Sequence, residues 1–272
     1  MPPRTPEDRK IARELIRHYQ PSLPALQNFL TSLQDQIRTS PNLSPYIHSL
    51  KWRTKSPKSL EGKIFRKLDD AKSANEAFDI TPENLFLKIN DLAGLRILHL
   101  NTDQLPYIAK GLNALFEEEI YTLFEQPTAR TWDDESRAFL TGLGFKIANK
   151  PSRPSFYTSV HYVIKPSKKT EITCEIQVRT LMEEVWGEVD HLLNYPDKTR
   201  FLTCKEQLAA LARATSTCSR LVDSIFRSHA DLSKPKRQPK NPETSTTGQP
   251  SKPQEPEGPA PKAPKPGTPN HQ

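Results

Sequence analysis

The sequence predicts a fold of mixed class, α/β or α+β, built on a single mixed β-sheet flanked by helices, and three observations carry the prediction. Stretches of strand-like alternation are interleaved with stretches of helical spacing along most of the chain. Of the 272 residues, 35% are hydrophobic and 26% charged, the balance of a soluble protein with a sizeable core. No apolar run approaches the roughly 20 residues needed to cross a bilayer, so the chain's own helices must cover the sheet. There is no internal repeat.

Each element follows from its local pattern. Residues 7–39 read as helix, broken near Pro21 and Pro24, with Ile11, Leu15, Leu26, Phe29, Leu30 and Leu33 as its buried stripe. Residues 46–55 alternate, with Tyr46, His48, Leu50 and Trp52 on one side and Ser49, Lys51, Arg53 and Lys55 on the other. Ser56-Pro57 opens a helix with proline at its first position, running through Ile64, Phe65 and Leu68. Residues 93–100 form a short strand, 105–118 a helix, 120–126 a strand, 133–141 a short helix and 156–165 a strand. From 172 to 179, Ile172, Cys174, Ile176 and Val178 alternate with Thr173, Glu175, Gln177 and Arg179. Thr180 with Glu183 is a capping-box signature, and the helix after it is expected to bury Leu181, Val185, Val189, Leu192 and Leu193. Residues 203–229 read as a long last helix.

The composition changes near residue 233. The last segment holds 11 of the 26 prolines and no large apolar residue, so it cannot bury enough surface to offset its ordering entropy and is expected to be disordered. Its seven Lys/Arg against three Glu leave only +3 of the chain's formal +7 for the rest, so the high pI argues only weakly for a nucleic-acid partner. Cys174, Cys204 and Cys218 have no metal-ligand spacing, and their odd number suits reduced thiols. The polar start "MPPRTPEDRK" is no signal peptide, so a cytoplasmic location without membrane contact is expected.

The polar faces of three strands carry chemistry: Lys51, Arg53 and Lys55; Tyr157, Ser159 and His161; Glu175, Gln177 and Arg179. One such face is the ordinary solvated side of a one-sided sheet. Three of them, mixing both charge signs with aromatic and hydroxyl groups, point to a shared site. In "RTKSPKSLEGK" the cations Arg53, Lys55 and Lys63 flank a helix start with Ser56 at the cap and Ser59 inside the first turn, an arrangement suited to phosphate. Asp91 precedes a small-residue turn into a strand and is most simply a turn residue, but with Glu175 it could share one Mg²⁺, which needs a couple of carboxylates plus substrate phosphates. The ring of Tyr157 is suited to stacking on a purine.

The segments "RTKSPKS...K", "DLAGLRI", "YTSVH" and "EIQVRT.....W....H", in that order, resemble the synthetase domain of the RelA/SpoT family, most of all the small alarmone synthetases. The resemblance spans about residues 46–195. It implies a nucleotidyltransferase-like mixed sheet and transfer of the β,γ-pyrophosphate of ATP, with Mg²⁺, to the 3′-hydroxyl of GDP or GTP, giving (p)ppGpp. It divides the chain into an N-terminal helical segment, 1–45, packing on a pyrophosphokinase domain, 46–230, with a Pro/Lys-rich tail, 231–272. By motif, Arg53 and Arg96 hold the adenine, while Lys55, Ser56, Ser59 and Lys63 bind the phosphates of ATP. Asp91 and Glu175 are the metal and catalytic carboxylates, Glu175 as the group that helps hold the metal or takes the proton of the attacking hydroxyl. Arg153, Tyr157, His161, Gln177 and Arg179 form the acceptor side, and Trp186 and His191 are supporting structure.

One departure bears on the acceptor. Where the family has Lys-x-x-Gly-Tyr this chain has "RPSFY", with Arg153 at the lysine place and Phe156 at the glycine place. A toxic synthetase that modifies the 3′ end of tRNA is therefore the alternative, which also leaves an antitoxin partner and a homo-oligomer open. The family's hydrolase motif is not found, so product hydrolysis is not expected. A polymerase-type nucleotidyltransferase would need a Gly-Ser loop and paired aspartates on one strand, and neither is present. A catalytically inactive nucleotide-binding module would not need the charged motif positions, all of which are retained.

Overall fold

A computed structural model describes residues 4–148, 155–194 and 199–233, so the expected disordered tail lies, from residue 234 on, outside the described residues. The chain opens with helix α1 (Pro6–Tyr19), a 3-10 turn (Gln20–Ser22) and helix α2 (Leu23–Thr39), interrupted where Pro21 and Pro24 deny the backbone its amide donors. Strand β1 (Ser49–Thr54) leads to α3 (Pro57–Ala74), and the short α4 (Leu85–Lys88) precedes β2 (Ala93–His99). Then come α5 (Leu105–Glu117), β3 (Thr122–Arg130), α6 (Asp134–Gly142), the two-residue β4 (Lys146–Ile147) and β5 (Ser159–Lys165). Strand β6 (Cys174–Thr180) runs straight into α7 (Leu181–Asn194), and α8 (Leu202–Leu232) follows. Among the described residues no helix is long and apolar enough to cross a membrane.

The strands form one six-stranded sheet in the order β1-β2-β6-β5-β3-β4. Strands β2 and β6, and β3 and β4, are parallel; the other neighbours are antiparallel, so the sheet is mixed as the sequence predicts. One face is apolar. Leu95, Ile97, Ile176, Val178, Val160, Tyr162 and Ile164 are buried there in a core shared with Leu15, Leu26, Leu30, Leu33, Ile108 and Leu112 of α1, α2 and α5. Helix α1 is capped by Thr5 and Asp8 and tied to α3 by Lys72–Asp8 at 2.8 Å and Arg4–Asp69 at 2.5 Å.

Several local expectations are corrected. Tyr46 lies in a 3-10 turn (Ser44–Tyr46) before β1, because Pro45 cannot donate to a ladder. Strand β3 continues past Pro127, which the ladder accommodates by register shifts between Leu123, Glu125 and Thr128. Strand β5 begins at Ser159, so Phe156 and Tyr157 precede it. Of the expected stripe of α7, Val185, Leu192 and Leu193 are exposed and Leu181 and Val189 are only half-buried, while Glu184 and Trp186 are buried instead. The reason is electrostatic: α7 covers part of the polar face of the sheet, and three cations there need its carboxylate.

Helix α5 packs closely on the segment before β1. A Cβ on Gly111 would stand 2.6 Å from Leu43 Cδ2 and 2.9 Å from the carbonyl oxygen of Asn42. Because Leu43 is fully buried and one obstacle is backbone, Gly111→Ala is expected to destabilise the fold by about 1–3 kcal/mol. Urea unfolding measures this; an unchanged midpoint would contradict the close approach.

Candidate active site

The register of the sheet lines up the polar residues. Lys51 pairs with Arg96, Arg96 with Gln177 and Gln177 with His161, so one row of polar side chains crosses four strands. In the row beside it Arg53 pairs with Gly94 and Gly94 with Glu175. Gly94 leaves the sheet surface between the cation and the carboxylate open, and both flank a cavity that Gly94 also lines. The groups read from three separate strands therefore share one surface.

Above this surface lies a cavity of about 850 Å³. It is lined by Arg53, Lys55, Ser56, Ser59, Lys63, Asp91, Arg96, Tyr157, His161, Glu175, Gln177 and Arg179, so apart from Arg153, which lies outside the described residues, the structure brings every sequence-predicted site residue together. Trp186 and His191, read as supporting structure, also line it. The sequence reading missed Arg66, Arg130, Thr131 and Asp190. Arg66 was within reach of a helical argument, since it follows Lys63 by one turn on α3. Arg130 was not, because the expected strand stopped before it. Seven Lys/Arg side chains against three carboxylates give the cavity an excess of positive charge, which suits an anion.

The cation end is built around Asp91. Its carboxylate meets Lys55 Nζ at 2.9 Å and Lys63 Nζ at 2.6 Å. Burial opposes its ionisation, but the charges of Lys63 and Lys55 prevail and hold the carboxyl below its ordinary value. Ser56 caps α3: its hydroxyl accepts from the Ser59 amide at 3.2 Å and lies 2.9 Å from the Ser59 hydroxyl. From the N-terminal layer, the Tyr19 hydroxyl donates to the Lys55 carbonyl at 2.5 Å and braces this turn. Burial, with the Asp91 charge nearby, pushes the Tyr19 phenol up to about 12, so it stays a donor.

The carboxylate end is built around Glu175. Its Oε1 lies 2.8 Å from His161 Nδ1, and its Oε2 accepts from Gln177 Nε2 at 2.7 Å. Burial raises its carboxyl, but the His161 bond and charge outweigh that and Asp91's repulsion, so it sits below the usual range. The His161 Nε2 atom is 3.1 Å from the Tyr157 hydroxyl. The Arg179 guanidinium lies 5.6 Å from the Tyr157 ring centre, which leaves the rest of the ring to the cavity.

Glu184 of α7 holds the row together. Its carboxylate meets Lys51 at 2.8 Å, Arg96 at 3.1 Å and Arg179 at 2.9 Å, and Arg96 also pairs with Glu188. The Arg179 contact is misaligned for a hydrogen bond, so it acts through charge alone. Burial works against the ionised Glu184, and the bond to Lys51 with the charges of Arg179 and Arg96 keeps it ionised. Gly187 makes room for this pair: a Cβ there would stand 2.5 Å from Arg179 Nη1.

The donor set suits Mg²⁺. Asp91 and Glu175 would offer it two hard oxygen ligands, and they stand near enough for Asp91 to act electrostatically on Glu175. Two carboxylates, with phosphate and water completing the shell, match the habit of this ion.

Two predictions follow from α7. Glu184→Gln strands Arg179, whose side chain is only 2% exposed, and is expected to cost about 3–5 kcal/mol in a urea titration; a loss below about 1 kcal/mol would mean that the ion pairs are incidental. Glu183 forms the capping box expected with Thr180, accepting its amide at 2.6 Å, and burial pushes its carboxyl up from 4.5 to about 7. A folded value above the unfolded one means the native state holds the extra proton, so this contribution is complete below pH 4.5 and lost as pH rises through about 7. Glu183→Gln keeps an acceptor for Thr180 and removes that titration. Its stability relative to the unsubstituted protein should therefore increase between about pH 5 and pH 8, and a pH-independent difference would refute the assignment.

Comparison with known proteins agrees with this architecture. Residues 52–200, more than half of the chain, match the region found in RelA / SpoT proteins. Among solved structures, small alarmone synthetase 1 from Bacillus subtilis is similar at 21% identity and a TM-score of 0.50, covering 79% of this chain and 96% of that one. The protein smu.1046c from Streptococcus mutans UA159 is similar at 20% identity and a TM-score of 0.50, covering 81% and 96%. The structure of the Bacillus subtilis synthetase 1 bound to its product pppGpp is similar at 20% identity and a TM-score of 0.48, covering 79% and 95%. No curated protein sequence matches.

Proposed function

The chain belongs to the RelA/SpoT family, and on that premise we propose that it transfers pyrophosphate from ATP to the 3′-hydroxyl of GDP or GTP, forming (p)ppGpp. The observation that carries the reading is the single cavity in which Asp91, Glu175, a capped helix N-terminus and seven cationic side chains face one another. Transfer of this kind depends on in-line positioning and on cations around the migrating charge more than on covalent chemistry by the protein.

In this reading the α3 end receives the phosphates of ATP: Lys55 and Lys63 exchange their contacts with Asp91 for phosphate oxygens, and the Ser56–Ser59 turn adds hydroxyl and amide donors. Arg53 and Arg96 flank the adenine, with Arg96 oriented by Glu184 and Glu188. Asp91 and Glu175 would hold Mg²⁺, which supplies charge stabilisation at the phosphoryl oxygens when bound. Tyr157 takes the acceptor base, and Gln177 and Arg179 order the acceptor's phosphate side. Glu175, ionised at neutral pH and oriented by His161 and Gln177, takes the proton of the attacking hydroxyl.

The test is transfer of label from the γ-position of ATP to a panel of GDP, GTP, adenine nucleotides and tRNA. Label on GDP or GTP is the expected result, and label only on tRNA would replace this reading with the toxic alternative. Glu175→Gln is expected to lower transfer by about 10²–10⁴-fold while ATP binding persists; near-normal turnover would remove Glu175 from the mechanism. Tyr157→Ala should lower acceptor kcat/KM by about 10- to 100-fold through lost stacking, and an equal loss in ATP affinity would contradict its place on the acceptor side.

A further inference from the structure

A second, open cavity, of about 500 Å³, is lined by the segment that follows β3 and by α6, α7 and α8, and it falls within the range of roughly 300–1,000 Å³ usual for small-molecule sites. Its apolar wall is aromatic: Trp132, Phe139, Phe156 and Trp186 line it. The Phe156 ring stands edge-on to Trp132 at 5.2 Å and to Trp186 at 6.5 Å. Arg213, which is not among the lining residues, already places its guanidinium 5.7 Å from the Phe156 ring centre, so the aromatic wall accepts a cation from one side.

The polar wall has the opposite sign to the nucleotide cavity. Besides Glu183, whose carboxyl burial raises to about 7, four carboxylates line it, those of Asp103, Asp133, Glu135 and Asp223, against the two guanidiniums of Arg220 and Arg227. Each guanidinium is shared between two acids. Arg220 meets Asp133 and Glu135 at 2.9 Å, and Arg227 meets Asp103 at 3.4 Å and Asp223 at 3.8 Å. Negative charge therefore remains in excess around an aromatic box, which repels phosphate esters and favours a positive group over the ring faces.

We propose that this cavity is a second ligand site, selective for a small organic ammonium ion with an apolar body. The aromatic wall takes the body of the ligand and the acidic rim takes its charge. Two features connect the site to the nucleotide cavity: Trp186 lines both, and Phe156, in this wall, is followed in the chain by Tyr157 in the other.

The test uses the full chain carrying Trp52→Phe, so that tryptophan emission reports Trp132 and Trp186, both in the cavity wall. Phenethylamine is the probe and 2-phenylethanol its neutral counterpart. The expected result is a saturable emission change with the amine, binding at least about tenfold weaker for the alcohol, and no displacement of the amine by excess ATP. Asp103→Asn combined with Glu135→Gln should weaken amine binding by about tenfold and leave the alcohol unchanged. Both side chains are more than half exposed, so this variant keeps its fold. Absence of saturable binding, equal affinity for amine and alcohol, indifference to the double substitution, or displacement by ATP would each overturn the proposal.

Discussion

Three cations from three different strands converge on the carboxylate of Glu184, and the arrangement of the polar face depends on that convergence. Lys51 of β1, Arg96 of β2 and Arg179 of β6 would otherwise repel one another across neighbouring strands. Like charges in such proximity are tolerated only when an opposite charge is shared among them, and burial makes that requirement stronger. Glu184 meets it from α7, which starts directly from β6, so the strand that carries Arg179 also delivers its counter-ion. The helix is thereby rotated so that its carboxylate, Trp186 and Gly187 turn inward.

That rotation has a structural consequence. Turning Val185, Leu192 and Leu193 inward would gain roughly 1.5–3 kcal/mol for each side chain fully buried. It would also leave Arg179, almost fully buried, with no carboxylate, at a cost of about 3–5 kcal/mol for that one charge alone. With Arg96 half-buried in the same position, the electrostatic requirement prevails and the aliphatic residues remain at the surface. Trp186 supplies the apolar anchor that the stripe does not, with its indole N–H donating to the Leu208 carbonyl of α8 at 3.0 Å.

The same logic separates two chemical environments around α7. On the sheet, cations outnumber carboxylates, and Asp91 and Glu175 stay ionised because lysines stand against the one and a histidine against the other. Beside α8, carboxylates outnumber guanidiniums and aromatic rings form the wall. The short stretch from Phe156 to Tyr157 passes from one environment to the other, which fixes Tyr157 from behind while its hydroxyl is held by His161.

Much of this was legible in the chain itself, because it depends on neighbours in sequence. Alternation in residues 172–179 specified which side chains share a face, Thr180 and Glu183 specified a helix start, and Ser56-Pro57 specified another; all three appear in the structure. The cavity residues that four motifs carry were equally legible, whereas Arg66, Arg130, Thr131 and Asp190, which are not motif positions, were not read as part of the site. What the sequence could not determine was pairing between distant segments. That Arg96 stands between Lys51 and Gln177, that Asp91 answers two lysines, that Arg130 reaches the cavity and that α7 turns its polar side inward are settled by sheet register and by the balance of charges that register brings together. Local periodicity measures only the apolar burial available to a segment, whereas the choice of face depends on charges more than 80 residues away, as between Arg96 and Glu184.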